Sequence, residues 1–218
     1  MHVVIINGSP RVEKYSNTEK IIDAFSEGLS EMEVEFERYA ISDRNIWEKA
    51  RDAYVNNTKI VIALPLYVEC IPGLLLEFLE TLPKKDSNTQ VSFILQSGFA
   101  EASQLRCGEA FLEKLVNYLG VSYGGTLVKG DNFGIRLSSG EALLKQTSPY
   151  REMGKVYVSE NGFNCEQARK FAGPEYFPLY IRLMLQFIFK TFAKKRFLEA
   201  AKSWGADKPL EYRPWNIN

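Results

Sequence analysis

The chain has one histidine, three cysteines and no net charge in 218 residues. Each scarcity excludes something. His2 stands at the start of the first apolar run with no claim on catalysis, so a Ser-His hydrolase would lack its base. Cys70, Cys107 and Cys165 are odd in number and too widely spaced for a C-x-x-C pair, which argues against a disulfide framework and against a metal site. Lys+Arg and Asp+Glu balance at 27 each, whereas a general nucleic-acid binder is basic. No basic stretch precedes the short apolar run Val3-Val4-Ile5-Ile6, which stops at Asn7, well short of a secretory signal core. A cytoplasmic, reducing location is therefore the expectation. Glycine is also scarce where a nucleotide loop would need it. Between Asn7 and Thr18 only Gly8 occurs, so neither G-x-G-x-x-G nor G-x-x-x-x-G-K-[ST] is present.

That first loop is nonetheless the most informative stretch. Residues 3–6 read as a strand, Asn7-Gly8-Ser9-Pro10-Arg11 breaks it, and Ser16-Asn17-Thr18 precedes a helical pattern. The loop offers hydroxyls at Ser9, Ser16 and Thr18, the amide of Asn17, the guanidinium of Arg11 and backbone N–H groups before the positive end of a helix dipole. Such a loop suits a phosphate ester. Ser16-Asn17-Thr18 would serve equally as a helix cap, and the two roles are compatible.

Further along, Ile21, Ile22, Phe25 and Leu29 recur at helical spacing, with Gly28 and Ser30 read as the fraying end. Residues 34–39 alternate as a half-exposed edge strand, and a short helix is expected over 45–56. The continuous run Ile60-Val61-Ile62-Ala63-Leu64 has the character of a strand buried on both faces of a parallel sheet. A helix from about Pro72, a strand over 91–95, a helix over 102–119 and a last strand over 121–128 complete the alternation. Gly124-Gly125 reads as a place of close packing. Five strands separated by helices predict an α/β, doubly wound parallel sheet in the order 2-1-3-4-5, with a crevice between strands one and three.

In such a sheet the loops after strands one, three and four converge. The second, Pro65-Leu66-Tyr67-Val68, has a rigid entry, a ring and free amides that could lie against a flat heterocycle. The third, Gln96-Ser97-Gly98-Phe99, combines a permissive glycine with a second ring. Tyr67 and Phe99 could instead be core aromatics, Arg11 a surface ion pair, and Cys70 is expected to be a small buried side chain.

Taken in order, Gly8-Ser9-Pro10-Arg11 with Ser16-Asn17-Thr18, Pro65-Leu66-Tyr67 with Pro72-Gly73, and Ser97-Gly98-Phe99 with Glu101 resemble the NAD(P)H-dependent FMN reductase and quinone reductase group of the flavodoxin-like superfamily. The resemblance spans roughly residues 3–130. It implies a flavodoxin-like fold, FMN as cofactor, NADH or NADPH as reductant and a small-molecule acceptor reached by a ping-pong scheme. The implied cofactor-binding residues are Ser9, Arg11, Ser16, Asn17, Thr18, Pro65, Leu66, Tyr67, Val68, Gln96, Ser97, Gly98 and Phe99. Backbone amides of 66–68 and 97–99 would face the flavin edge, and no catalytic side chain is assigned. A single-electron flavodoxin-like carrier and a non-catalytic flavin-binding module are the alternatives.

The expected organisation is one domain over 1–218, with 1–138 as the FMN-binding core and 139–218 as a helical extension. Its last helix, from Pro178 at the first helical position to Gly205 as cap, places Arg182, Gln186, Lys190 and Lys194 in one stripe and is apolar elsewhere, so it should bury nearly all its sides. A homodimer through 178–204 is expected, with membrane-surface contact as the other reading. Residues 207–218 are left undecided.

Overall fold

The computed structural model describes residues 1–203, 205, 206, 208, 209, 212, 213 and 215. Its contacts divide the chain into two units, Met1–Tyr176 and Phe177–Asn218.

The first unit is a five-stranded sheet in the order β2-β1-β3-β4-β5, every pairing parallel. The strands are β1 His2–Asn7, β2 Glu35–Ala40, β3 Lys59–Pro65, β4 Gln90–Gln96 and β5 Ser122–Lys129. The helices between them are α1 Asn17–Glu31, α2 Trp47–Asn56, α3 Gly73–Glu80 and α4 Arg106–Leu119. Val3–Ile6, Ile60–Leu64 and Phe93–Leu95 have essentially no exposed surface, as central parallel strands covered on both faces require. β2, at the edge, is only partly covered. β4 and β5 slip register between Val91 and Phe93, opposite Gly125, whose φ of +90° an L side chain rarely adopts.

One core layer packs α2, α3 and α4 on the sheet; the other packs α1 with α5 Gly140–Ser159 and α6 Glu166–Phe171. These last two helices belong to the first unit, so the sheet unit extends to Tyr176 and not only to residue 138. The cause is a close crossing of α1 and α5. A Cβ on Gly28 would stand 2.0 Å from the Arg151 carbonyl oxygen, and one on Gly154 would stand 2.3 Å from that of Phe25. Gly28 is thus not a fraying end but the place where two backbones meet, inside a helix that continues to Glu31. Glu31 pairs with Arg151 and Lys155 across the same crossing.

In the second unit, α7 Leu179–Ile188 passes through a π-helical turn, Phe189–Ala193, into α8 Lys194–Ser203. Pro178 is the cap of α7 and not its first residue. Gly205 (φ +88°) ends the run, its amide bonding to the Lys202 carbonyl. None of residues 179–203 is buried within the single chain. Some of residues 207–218 lie outside the described residues.

Candidate functional site

All five strands run the same way, so the loops at their carboxyl ends share one edge, the edge at which open α/β sheets bind ligands. A cavity there is lined by Ser9, Arg11, Asn17 and Thr18 from the first loop and helix, Pro65, Leu66 and Tyr67 after β3, Gln96, Ser97 and Gly98 after β4, and Asn132, Phe133 and Arg136 after β5. Ten of the thirteen residues expected from the sequence therefore line one space.

The first loop is built by short-range bonds. The Ser9 amide donates to Asn7 Oδ1 (2.9 Å), the Arg11 amide to Ser9 Oγ (3.3 Å), and Gly8 N–H to the Ala63 carbonyl (2.7 Å). Asn7 Nδ2 in turn donates to Glu19 (2.6 Å), which pairs with Arg38. The amides of Asn17 and Thr18 open α1, where helix geometry provides no carbonyl partner. Arg11 and Arg136 also border an adjoining cleft with Lys14, Tyr15 and Lys20, so four cations surround the phosphate-sized end. Cations and helix-start amides together favour a dianion.

Three expected residues stand differently. Ser16 is fully buried, and its hydroxyl accepts from the Glu19 amide (3.2 Å), so it caps α1 and does not line the cavity. Val68 is 85% exposed at φ +46°, beside Glu69 at +66°, in a turn closed by the Tyr67–Cys70 bridge. Phe99 points away from the core, and its carbonyl accepts from the Asp131 amide (2.8 Å). Tyr67 (41% exposed) and Phe99 (57%) are not core aromatics, and Cys70 is exposed where a buried side chain was expected.

Several amides expected to face a flavin are already engaged: Leu66 N–H donates to the Gln96 carbonyl, Tyr67 N–H to Cys70 and Ser97 N–H to Lys129. Among the described residues, the amides of Val68, Gly98 and Phe99 donate to no protein acceptor. The loops are thus braced by their own inner amides, leaving the outer ones for a ligand. Backbone strain sits at the same place, since Val68, Glu69 and Asp131 are three of the five non-glycine residues at positive φ among the described residues.

The loop after β5 was missed from the sequence. Asn132 ties together α1, the loop after β4, the end of β5 and α5. Its amide donates to the Ser97 carbonyl (3.0 Å), its Nδ2 to Lys129 (2.9 Å), and its carbonyl accepts from Asn17 Nδ2 (2.9 Å). Its Oδ1 accepts from the Tyr150 hydroxyl of α5 (2.9 Å), whose phenol burial holds far above its ordinary pKa and hence neutral. With Nδ2 committed to Asn132, the Asn17 Oδ1 is left buried with no partner. An orphaned acceptor in a cavity wall is a place for a ligand's donor. Gly130-Asp131-Asn132-Phe133-Gly134 carried the same glycine-and-ring signature as the other loops, and strand order alone would have placed it at this edge.

The donor set fits FMN: cations and helix amides for a phosphate, an acceptor for a polyol hydroxyl, and free amides with aromatic rings for a flat heterocycle. The sequence model of NADPH-dependent FMN reductases matches residues 1–132. The chain belongs to that family. It is accordingly an oxidoreductase that works with FMN and a reduced nicotinamide nucleotide. No curated protein sequence matches. Among solved structures, an NAD(P)H:quinone oxidoreductase from Methanothermobacter marburgensis is 15% identical with a TM-score of 0.54, over 73% of this chain and 97% of that one. An FMN-dependent NADH-azoreductase from Bacillus anthracis, in complex with FMN, is likewise 15% identical at 0.54, over 74% and 99%. A putative quinone reductase from Klebsiella pneumoniae is 9% identical at 0.55, over 83% and 98%. At these identities the likeness is one of fold. This FMN reductase relative thus shares the flavodoxin-like sheet with enzymes of that description.

Proposed function

We propose that the chain passes electrons from NADH or NADPH through FMN to a quinone, free flavin or similar small acceptor, with reductant and acceptor taking turns at one exposed face. The observation that carries this reading is the composition of the cavity wall. Its thirteen residues include no Asp, Glu, His, Lys or Cys. A site without a titratable acid or base near neutral pH is poorly equipped for proton-transfer chemistry and well equipped to position a cofactor that brings its own.

FMN, when bound, supplies hydride acceptance and delivery. The chain's residues then have separable tasks. Arg11 and Arg136, with the amides opening α1, would hold the phosphate; Asn17 Oδ1 would accept from a ribityl hydroxyl. The unengaged amides of Val68, Gly98 and Phe99 would meet the polar edge of the ring system and favour charge developing there. Tyr67 and Phe133 flank the space in which a nicotinamide or an acceptor could stack.

Steady-state kinetics test the alternation. Initial rates at several fixed acceptor concentrations should give parallel double-reciprocal lines. Intersecting lines would show both substrates bound at once and refute it. Absence of NAD(P)H turnover by a flavin-loaded chain would leave a one-electron carrier or a regulatory flavin module. Arg11→Ala and Tyr67→Ala should weaken FMN binding and slow reduction respectively; unchanged values in both would sink the assignment.

A further inference from the structure

The helix running from Leu179 to Ser203 supplies none of the residues that line the cavity described above. It comprises 25 residues through α7, the π turn and α8, about 37 Å at 1.5 Å per residue. We propose that it is an in-plane anchor for an anionic lipid bilayer.

Two observations select lipid over a second copy of the chain. The first is the distribution of apolar surface. Leu179, Tyr180, Leu183, Met184, Phe187 and Ile188 all lie exposed, and at 100° per residue they spread over an arc of about 180° of α7. A partner helix covers one stripe, whereas acyl chains and headgroup boundary cover a wide arc. The second is charge. Between 179 and 203 stand six cations, Arg182, Lys190, Lys194, Lys195, Arg196 and Lys202, against the single carboxylate Glu199. Residues 177–218 carry 8 basic and 3 acidic side chains, whereas residues 1–176 carry 19 basic and 24 acidic, so a chain of zero net charge has its positive excess gathered at this helix. Pairing two such helices doubles the cations without supplying carboxylates, while anionic headgroups neutralise them. The charges also grade along the axis: apolar α7 leads into the basic cluster Lys194-Lys195-Arg196. Aromatic and aliphatic side chains beside snorkelling cations suit the interface.

The helix lies in the surface and does not cross it. Only seven residues separate Arg182 from Lys190, and no helix among the described residues is long and apolar enough to span a membrane. The proposal is independent of the flavin chemistry, since it stands on lipid binding alone.

Vesicle flotation of the full chain tests it, with phosphatidylcholine vesicles and with equimolar phosphatidylcholine and phosphatidylglycerol. Binding should favour the anionic vesicles and decline as salt rises. Lys194→Gln/Lys195→Gln/Arg196→Gln should weaken it by about fivefold per residue, on the order of 100-fold together. Phe187→Ser/Phe189→Ser, at exposed positions of the second unit, should abolish it. Failure to float with anionic vesicles at low salt overturns the proposal. So does equal, salt-insensitive binding to both vesicle types, or binding that survives both variants. A dimer by light scattering that Phe187→Ser/Phe189→Ser dissolves, without vesicle binding by the parent, assigns the helix to a second copy and likewise overturns it.

Discussion

Removing one hydroxyl tests whether Asn132 is the joint of the site. Tyr150→Phe keeps the ring, its edge contact with Phe171 (centroids 5.1 Å apart) and its complete burial, and deletes only the donor to Asn132 Oδ1. The Asn132 side chain is itself buried, and its other bond, Nδ2 to the Lys129 carbonyl, cannot compensate an acceptor. Leaving a buried acceptor unsatisfied costs about 1–3 kcal/mol, so the urea midpoint should fall with the slope unchanged. The effect should also reach the ligand. Asn132 carries the carbonyl that orients Asn17 and the amide that holds Ser97, so a loosened joint should weaken FMN binding several-fold, read by quenching of flavin fluorescence. Asn132→Ala removes both side-chain bonds and should cost more. In the double variant the Tyr150 loss should nearly vanish, because its partner has already gone. A Tyr150→Phe protein with unchanged urea midpoint and unchanged FMN affinity would refute the role given to this joint, as would full additivity of the two substitutions.

Arg11→Ala or Arg136→Ala, each losing a charge-assisted bond worth about 1.5–3 kcal/mol, should weaken FMN binding roughly 10- to 100-fold and flatten its salt dependence, measured by fluorescence titration. Riboflavin, which lacks the phosphate, should bind both variants as it binds the parent. Gly154→Ala should destabilise by about 1–3 kcal/mol because its methyl would meet the Phe25 carbonyl, whereas the same change in an exposed helix gains up to about 1 kcal/mol. Thermal melts separate the signs. Ser16→Ala should lower stability by about 1 kcal/mol through loss of the α1 cap, with less effect on FMN than Arg11→Ala. The Glu31 carboxyl is held below the ordinary carboxylate value, first by its hydrogen bond from Lys155 and also by Arg151. Because the folded value is the depressed one, its stabilisation is complete above the unfolded pKa and is lost as pH falls through the folded value. Glu31→Gln should therefore remove part of the acid-side slope of stability and leave neutral-pH redox activity intact.

The sheet order was legible in the sequence because each central strand is a continuous apolar run between helical patterns, which only a sheet covered on both faces explains. The three loops of the site were legible for the same reason, since parallel topology brings carboxyl ends together. What escaped was long-range. Nothing local marks Gly28 and Gly154 as partners, so one read as a fraying helix end and the division fell at residue 138. Ser16 and Thr18 are both hydroxyl residues at a helix start, yet rotation by two residues turns one into the cap and sends the other to the cavity wall. The amides of Leu66, Tyr67 and Ser97 were open donors on paper; neighbouring loops, unknown until folded, already accept from them. Apolar content alone could not show that the last helix stands exposed, because burial depends on what surrounds it.

The most direct single measurement is an anaerobic titration of the FMN-reconstituted chain with NADPH, and separately NADH, followed by visible absorption and closed by adding a water-soluble quinone. The oxidised-flavin band should bleach with at least one nucleotide and return on quinone addition. A bound flavin that neither nucleotide bleaches, or a chain that retains no flavin after reconstitution, would contradict an FMN-dependent passage of electrons through this site.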